Sequence, residues 1–271
     1  MIEPVETAPA RYVSFSSGET RAGARAVPVE HPVNIIYGGV PYAVMMATPQ
    51  NLEDFVVGFS LTEGIITAAS DVRDVAFEEH PRGLKAMVTL APGVFSQHLS
   101  RQRSLSGRTG CGVCGVQDLD SIPEAKPVAS AVAVETGAIA RAVATIEAHQ
   151  PLNDATRAVH AAGWFDLQGR HVATREDVGR HNALDKLIGA LMRGGHSPED
   201  GFILITSRCS FEMVEKTAAF GASLLVAVSA PTSLAIHRAK ELGVDLIAIA
   251  RKDGATEFLR SPERAMEPAH D

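Results

Sequence analysis

The chain has 271 residues, 45% of them apolar and 21% charged, with a formal charge of −7. That length and apolar content are enough for a real hydrophobic core and exclude a mainly disordered chain. The acidic balance argues against non-specific nucleic-acid binding, which needs a basic face to displace counterions, and leaves room only for a local basic pocket.

No run of eighteen apolar residues occurs, so no membrane span is expected. The first six residues, Met1 to Glu6, carry neither a basic n-region nor an apolar stretch, so no secretory signal is expected. Three cysteines are too few for a disulfide framework in a chain this long, and the expected compartment is the cytoplasm.

Residues 1–25 are polar and poor in bulky side chains, and are expected to be loosely held. From Val33 to Tyr37 and from Val40 to Met46 the pattern is that of two strands joined by a Gly38-Gly39 turn. Pro41 places the second at a sheet edge or strand start. Thr48-Pro49 then reads as the cap and first residue of a helix that carries Leu52, Phe55, Val56 and Phe59 at helical spacing and stops near Gly64. Two β-prone stretches follow, 74–78 and 84–90. Together residues 26–125 are expected to form a small α+β domain. It ends in a glycine-rich loop and a Pro-marked connector.

Residues 126–271 have a different rhythm. Alanine-rich helical patterns span 132–149 and 153–162, and a further helix runs from Asn182 to Arg193. After it, short apolar runs at 202–206, 224–228 and 245–250 alternate with helical patterns at 212–221 and 232–242. This alternation predicts βαβαβ units with parallel strands buried on both faces. The expected fold class is therefore α/β, with the small α+β domain in front.

Three places could carry chemistry. The first is Gly107-Arg108-Thr109-Gly110-Cys111-Gly112-Val113-Cys114-Gly115, four glycines in nine residues around a Cys-x-x-Cys pair. Backbone N–H groups in such a loop and the charge of Arg108 favour thiolate over thiol. A zinc site lacks its further ligands, because only Cys209 and scattered histidines remain. A thioredoxin-like dithiol would open a helix, which Gly112 and Gly115 discourage. Two ordinary buried thiols sit badly in an exposed glycine loop. These readings stay open, but the leading one is a flexible arm that carries sulfur on a cysteine. A thiolate accepts sulfane sulfur by the displacement that drives disulfide exchange.

The second place is Arg175 to Lys186, where seven of twelve residues are ionisable. It reads either as a capped, solvated helix start, with Asp177 as cap and Arg180, Asp185 and Lys186 at the surface, or as a site wall containing His181. The third is the set of turns at the carboxyl ends of the apolar runs, where open α/β sheets bind ligands. They are Thr206 to Glu212, with Ser207 and Arg208; Ser229 to Ser233, with Thr232; and Arg251 to Gly254. Arginines and helix N-termini suit a phosphate, although Ser, Thr and Pro are also ordinary caps. The Cys-x-x-Cys lacks the preceding proline and the His-x-Glu of zinc deaminases, which excludes that chemistry.

With these residues in view, the chain resembles the formate dehydrogenase accessory sulfurtransferases, the FdhD/NarQ family. The likeness runs from about Glu30 to about Arg260. It lies in Thr48-Pro49 through Phe59, Glu63 to Ile66, Arg108 to Gly115, Glu176 to Lys186, Ser207 to Val214 and Ser229 to Thr232. The resemblance implies a cytoplasmic enzyme, a sulfurtransferase that takes sulfur from a cysteine desulfurase as a persulfide. It would pass the sulfur to the molybdenum or tungsten bis-molybdopterin guanine dinucleotide cofactor of formate dehydrogenase. By the same likeness Cys111 would bear the persulfide with Cys114 assisting, and Ile249, Ala250, Arg251, Lys252, Asp253 and Gly254 would bind the cofactor. It further implies a carboxyl domain like the cytidine deaminase fold without zinc, and a homodimer. The sequence departs from the family at Ile249-Ala250, where an aromatic-containing step is usual.

Overall fold

The computed structural model describes residues 2–94, 96 and 125–261. The chain opens with β1 (Val5–Val13) and β2 (Thr20–Pro28), paired antiparallel with Val5 opposite Pro28 and Val13 opposite Thr20. The expectation of a loosely held segment over 1–25 is thus corrected to a regular ribbon. Its strands lack an alternating apolar stripe, so no pattern announced it; backbone ladder bonds hold it, and β2 is half-buried only toward its end.

Next come β3 (His31–Tyr37) and β4 (Val40–Ala47), turning at Gly38-Gly39, where φ is +55° and +87°. These left-handed values suit glycine. With β5 (Val72–His80) and β6 (Gly83–Leu90) they make a four-stranded sheet in the order β4-β3-β6-β5. Pro41 lies in an edge strand, as its missing N–H requires. Helix α1 (Leu52–Thr62) covers one face, and Phe55, Val56 and Phe59 pack on Val33, Ile35, Tyr37, Ala86 and Val88. The helix starts later than Thr48-Pro49 predicts: its N-cap is Asn51, at φ +55°, and Thr48 is buried for another reason described below.

A second, six-stranded sheet is built by β7 (His160–Asp166), β8 (His171–Asp177), β9 (Gly201–Ile205), β10 (Leu224–Ala227), β11 (Asp245–Arg251) and β12 (Gly254–Leu259), in the order β12-β11-β10-β9-β7-β8. β9, β10 and β11 are parallel, as their unbroken apolar runs predict. Alternate residues feed opposite faces. Ile203, Ile205, Leu225 and Leu246 face α4 (Arg180–Arg193), α5 (Phe211–Phe220) and α6 (Ser233–Leu242). Phe202, Leu204, Val226 and Ile247 face α2 (Thr136–Thr145).

One expected helix is wrong in part. Over 153–162 the helical α3 (Pro151–Thr156) stops early, and His160 begins β7. Ala161 and Ala162 favour a helix locally, but they pair with Glu176 and Arg175 of β8, and Ala162 also pairs with Ile205 of β9. Pairing within the buried sheet overrides propensity.

The two sheets meet through α1 and α4. A Cβ on Gly58 would lie 1.8 Å from the Asp185 carbonyl oxygen, and one on Gly189 would lie 1.8 Å from that of Asp54. The helices therefore touch backbone to backbone. The layers run four-stranded sheet, α1, α4 with α5 and α6, six-stranded sheet, α2.

Candidate functional site

Beside that crossing, the charged motif of residues 175–186 turns inward. Asp177 and Lys186 are fully buried and 2.6 Å apart. Asp177 Oδ2 also accepts from the Thr48 N–H (2.9 Å), while Oδ1 accepts from the Gly179 N–H (2.8 Å) and Asn182 Nδ2 (3.0 Å). Lys186 Nζ donates to the Thr48 carbonyl at 2.9 Å, and the Val178 N–H donates to Thr48 Oγ1 at 3.2 Å. Burial pushes the Lys186 ammonium pKa down, and Asp177 opposes that shift. A second buried carboxylate, Asp185, accepts from Lys216 Nζ (2.8 Å) and Thr62 Oγ1 (2.8 Å).

The surface-charge reading of this motif is therefore overturned for Asp185 and Lys186, and the N-cap of α4 is Gly179 rather than Asp177. Both pairs tie α1 and the end of β4 to α4 and α5. Their role is to hold the two layers together.

An opening lies at the carboxyl ends of β9, β10 and β11. This pocket of about 490 Å³ is lined by Ile146, Glu147, Gln150, Asn153, Thr206, Val228 and Ala250 to Asp253, with Val143 behind them. Four of the six residues expected near the last strand, Ala250, Arg251, Lys252 and Asp253, line it; Ile249 and Gly254 do not. Lys252 Nζ reaches Glu147 Oε2 (3.2 Å) across one side. Ile249 adopts φ +53° where the β11–β12 pairing shifts register, with its N–H held by the Ser229 carbonyl at 3.1 Å. A β-branched residue there is a true backbone outlier, and such strain persists only where the surroundings enforce it.

The other expected residues fall outside this lining. Ser207 is buried and donates to the Arg208 carbonyl (3.1 Å), and Thr232 caps α6 by accepting the Ala235 N–H (3.2 Å). Ser229 offers its backbone carbonyl to Ile249. Sequence reasoning missed Glu147, Gln150 and Asn153, because the two helical patterns that hold Glu147 and Asn153, and the break at Gln150 between them, gave no sign of which face met the sheet. Thr206, right after β9, and Arg251 to Asp253, at the end of β11, were the strand-end signals available.

Near the Thr206 turn, Arg180, His181 and Arg208 gather around His160. Arg208 is exposed in the β9–α5 turn, and Arg180 and His181 open α4. Across from them His160 starts β7, its imidazole pKa pushed down by burial first, then by Arg180 and Arg208. Glu212, in the first turn of α5, is held at about 2, chiefly by the neighbouring His181 and further by the Ser210 hydroxyl (2.7 Å), against the raising effect of burial.

Cys111 and Cys114 lie outside the described residues. Among the described residues the single cysteine is Cys209, buried, with burial pushing its thiol up to about 12. A thiol so protonated is a poor nucleophile. No group of three or more His, Cys, Asp or Glu that could hold a metal occurs among the described residues, and no helix there is long and apolar enough to cross a membrane.

The FdhD/NarQ family model matches residues 28–265. This chain belongs to the FdhD/NarQ family. Among its FdhD/NarQ relatives, the sulfur carrier protein FdhD of Xanthomonas axonopodis pv. citri is 48% identical over 226 residues, covering 83% of this chain and 80% of the relative. That of Cupriavidus necator is 44% identical over 253 residues, covering 93% and 88%. A crystal structure from Desulfotalea psychrophila, described as a formate dehydrogenase accessory protein, superimposes with a TM-score of 0.76 at 25% identity. It covers 97% of this chain and 99% of that one.

Proposed function

We propose that this chain is a sulfur carrier in formate dehydrogenase maturation, and that it transfers sulfur to a nucleotide-bearing molybdenum or tungsten cofactor bound as substrate. The observation that carries this is the match over residues 28–265 to a family whose relatives are named sulfur carriers, together with a pocket lined by Ala250 to Asp253. The pocket has the size and mixed lining of a small-molecule site. Thr206, Gln150 and Asn153 offer neutral hydrogen-bonding groups, and Arg251 and Lys252 offer charge. That set fits a guanine-dinucleotide end of the cofactor.

In the proposed cycle the Cys111 thiolate attacks the outer sulfur of a desulfurase persulfide. An S–S bond forms to Cys111, the old S–S bond breaks, and the desulfurase leaves as thiolate. Cys114 then assists discharge: its thiolate attacks the Cys111 sulfur, and a Cys111–Cys114 disulfide forms as the persulfide S–S bond breaks. The outer sulfur leaves at the sulfide level toward the cofactor, and a cellular thiol reduces the disulfide to reset the pair. The buried, protonated Cys209 cannot substitute. The cytoplasm, a homodimer and a deaminase-like carboxyl domain belong to the same proposal.

The test is intact-protein mass spectrometry after incubation with a cysteine desulfurase and cysteine. Wild type is expected to gain about 32 Da, one sulfur atom, and Cys111→Ala to gain none. In cells Cys111→Ala is expected to abolish formate dehydrogenase activity while the protein stays folded. Full activity in that strain would mean a chaperone that only delivers the cofactor. A two-proton mass loss in place of the gain would mean a dithiol oxidoreductase.

A further inference from the structure

Two histidines outside the pocket lining lie ring on ring. His149 closes the 3₁₀ turn Ile146–His149 that follows α2, and His171 opens β8; their imidazoles stack with centroids 3.5 Å apart and planes within 6°. Both are half-buried. The fully buried Phe165 meets His171 edge-on at 5.6 Å. His171 Nε2 bonds the Thr174 hydroxyl at 2.9 Å, a partner that can donate to a neutral ring or accept from a charged one. The charged groups around the pair are engaged elsewhere: Glu147 with Lys252 (3.2 Å), Asp166 with Arg170 (2.6 Å), and Arg141 with the Gln168 carbonyl (2.8 Å). Burial, and after it His149, holds the His171 pKa below the ordinary imidazole value. Neutral rings tolerate this stack. Two imidazolium rings at that distance repel, and among the described residues no carboxylate pairs with either to relieve them.

The turn that His149 closes is part of the pocket wall: Ile146 and Glu147 line the opening, and Gln150 follows directly. Its other fastenings are unequal. Ile146 is buried in the core between α2 and the six-stranded sheet. The Glu147–Lys252 pair is more than 70% exposed on both sides, and such pairs hold little. One step further along, Glu176 of β8 accepts from the Leu152 and Asn153 N–H groups (2.9 and 2.8 Å) and so caps α3. Burial raises the Glu176 pKa against the pull of those two donors, and Asp154 adds to the rise. The two clasps on β8 therefore respond to acid in opposite senses. A lowered imidazole pKa means that the closed state loses stability as pH falls through it, whereas a raised carboxylate pKa means that the closed state gains.

We propose that the stacked His149–His171 pair is a proton-sensitive latch: neutral, it holds residues 147–150 against β8 as one wall of the pocket, and charged, it releases them while Ile146 and the Glu176-capped α3 stay in place. Its working range lies at and below the ordinary imidazole value of about 6.5. What the latch controls is access along the Glu147 and Gln150 side of the opening. The release needs no ligand and is independent of sulfur carriage, so its failure leaves that reading untouched.

Hydrogen exchange and NMR titration of the full chain, with nothing added, test this. Between about pH 7.5 and about pH 5.5, either side of the imidazole range, protection of the Ala148, His149 and Gln150 amides, corrected for intrinsic exchange, is expected to fall about tenfold. That is the change in opening set by a tenfold lower proton affinity in the closed turn. The Leu152 and Asn153 amides are expected to keep their protection. His149→Phe retains a stacked ring without a second charge. In it the acid-induced loss should disappear, and the His171 midpoint should rise, since one of the two causes holding it down is gone. His149→Gln, which cannot charge either, should show the same flat response should the phenylalanine not be accommodated. Equal wild-type protection at both pH values overturns the latch, and so does a wild-type response in either variant. An equal loss at Leu152 and Asn153 overturns it as well, because it would mean general loosening and not the release of one turn.

Discussion

Lys186 is fully buried with its ammonium locked between Asp177 and the Thr48 carbonyl. Lys186→Met would leave the Asp177 carboxylate buried with three donors and no counter-charge. Removing one partner of such a pair costs about 3–5 kcal/mol. Urea denaturation should show that loss, and a Lys186→Met/Asp177→Leu double variant should recover part of it. At this scale the sequence was only half legible. The density of ionisable residues from Arg175 to Lys186 marked an unusual place, but a charged helix start looks the same whether water or another helix covers it. What meets Asp185 is Thr62 of α1 and what meets Lys186 is Thr48 just before it, both more than 120 residues earlier in the chain, and no local pattern reports that distance. Ala250 to Asp253 were located through family resemblance and strand-end topology. Arg180 and His160 acquire meaning only once β7 and α4 are brought side by side.

Among the elements, the α1–α4 crossing depends on two hydrogen atoms. At Gly58 and Gly189 any added carbon lands 1.8 Å from a carbonyl oxygen of the opposite helix, so neither can be accommodated by a rotamer change. Gly58→Ala should force the helices apart, stretch the Lys216–Asp185–Thr62 bonds and destabilise the protein by about 3 kcal/mol or more, at the upper end for overpacking. A melting curve reads this directly, and Gly64→Ala, whose added carbon would meet open space, supplies the contrasting case of pure backbone strain at φ +67°. Strong periodicity made α4, α5, α6 and the three parallel strands readable to within a few residues. The β7–β8 hairpin was not, because its alanines favour the wrong state until β9 is there to pair with them. Thr48-Pro49 imitates a helix start but instead turns the Thr48 backbone toward Asp177 and Lys186 and its hydroxyl toward the Val178 N–H.

At the scale of the whole molecule, the alternation of apolar runs and helices foretold a sheet with parallel strands and ligands at their carboxyl ends, and the 490 Å³ pocket opens there. The antiparallel strands that flank it on both sides were beyond reach, since β12 is largely exposed, β8 is mostly half-buried, and both carry weak patterns. The amino-terminal ribbon was equally silent, for the same reason. The backbone contact between Gly58 and Gly189 bears on how the molecule comes undone. With no solvent layer at that seam and with ionic rivets on either side of it, neither sheet can melt while its neighbour keeps its shape. A scanning calorimeter should therefore record one sharp endotherm whose van't Hoff and calorimetric heats agree, not two overlapping events. Each half, severed from its mate, would be left with stranded charges where a companion helix used to be.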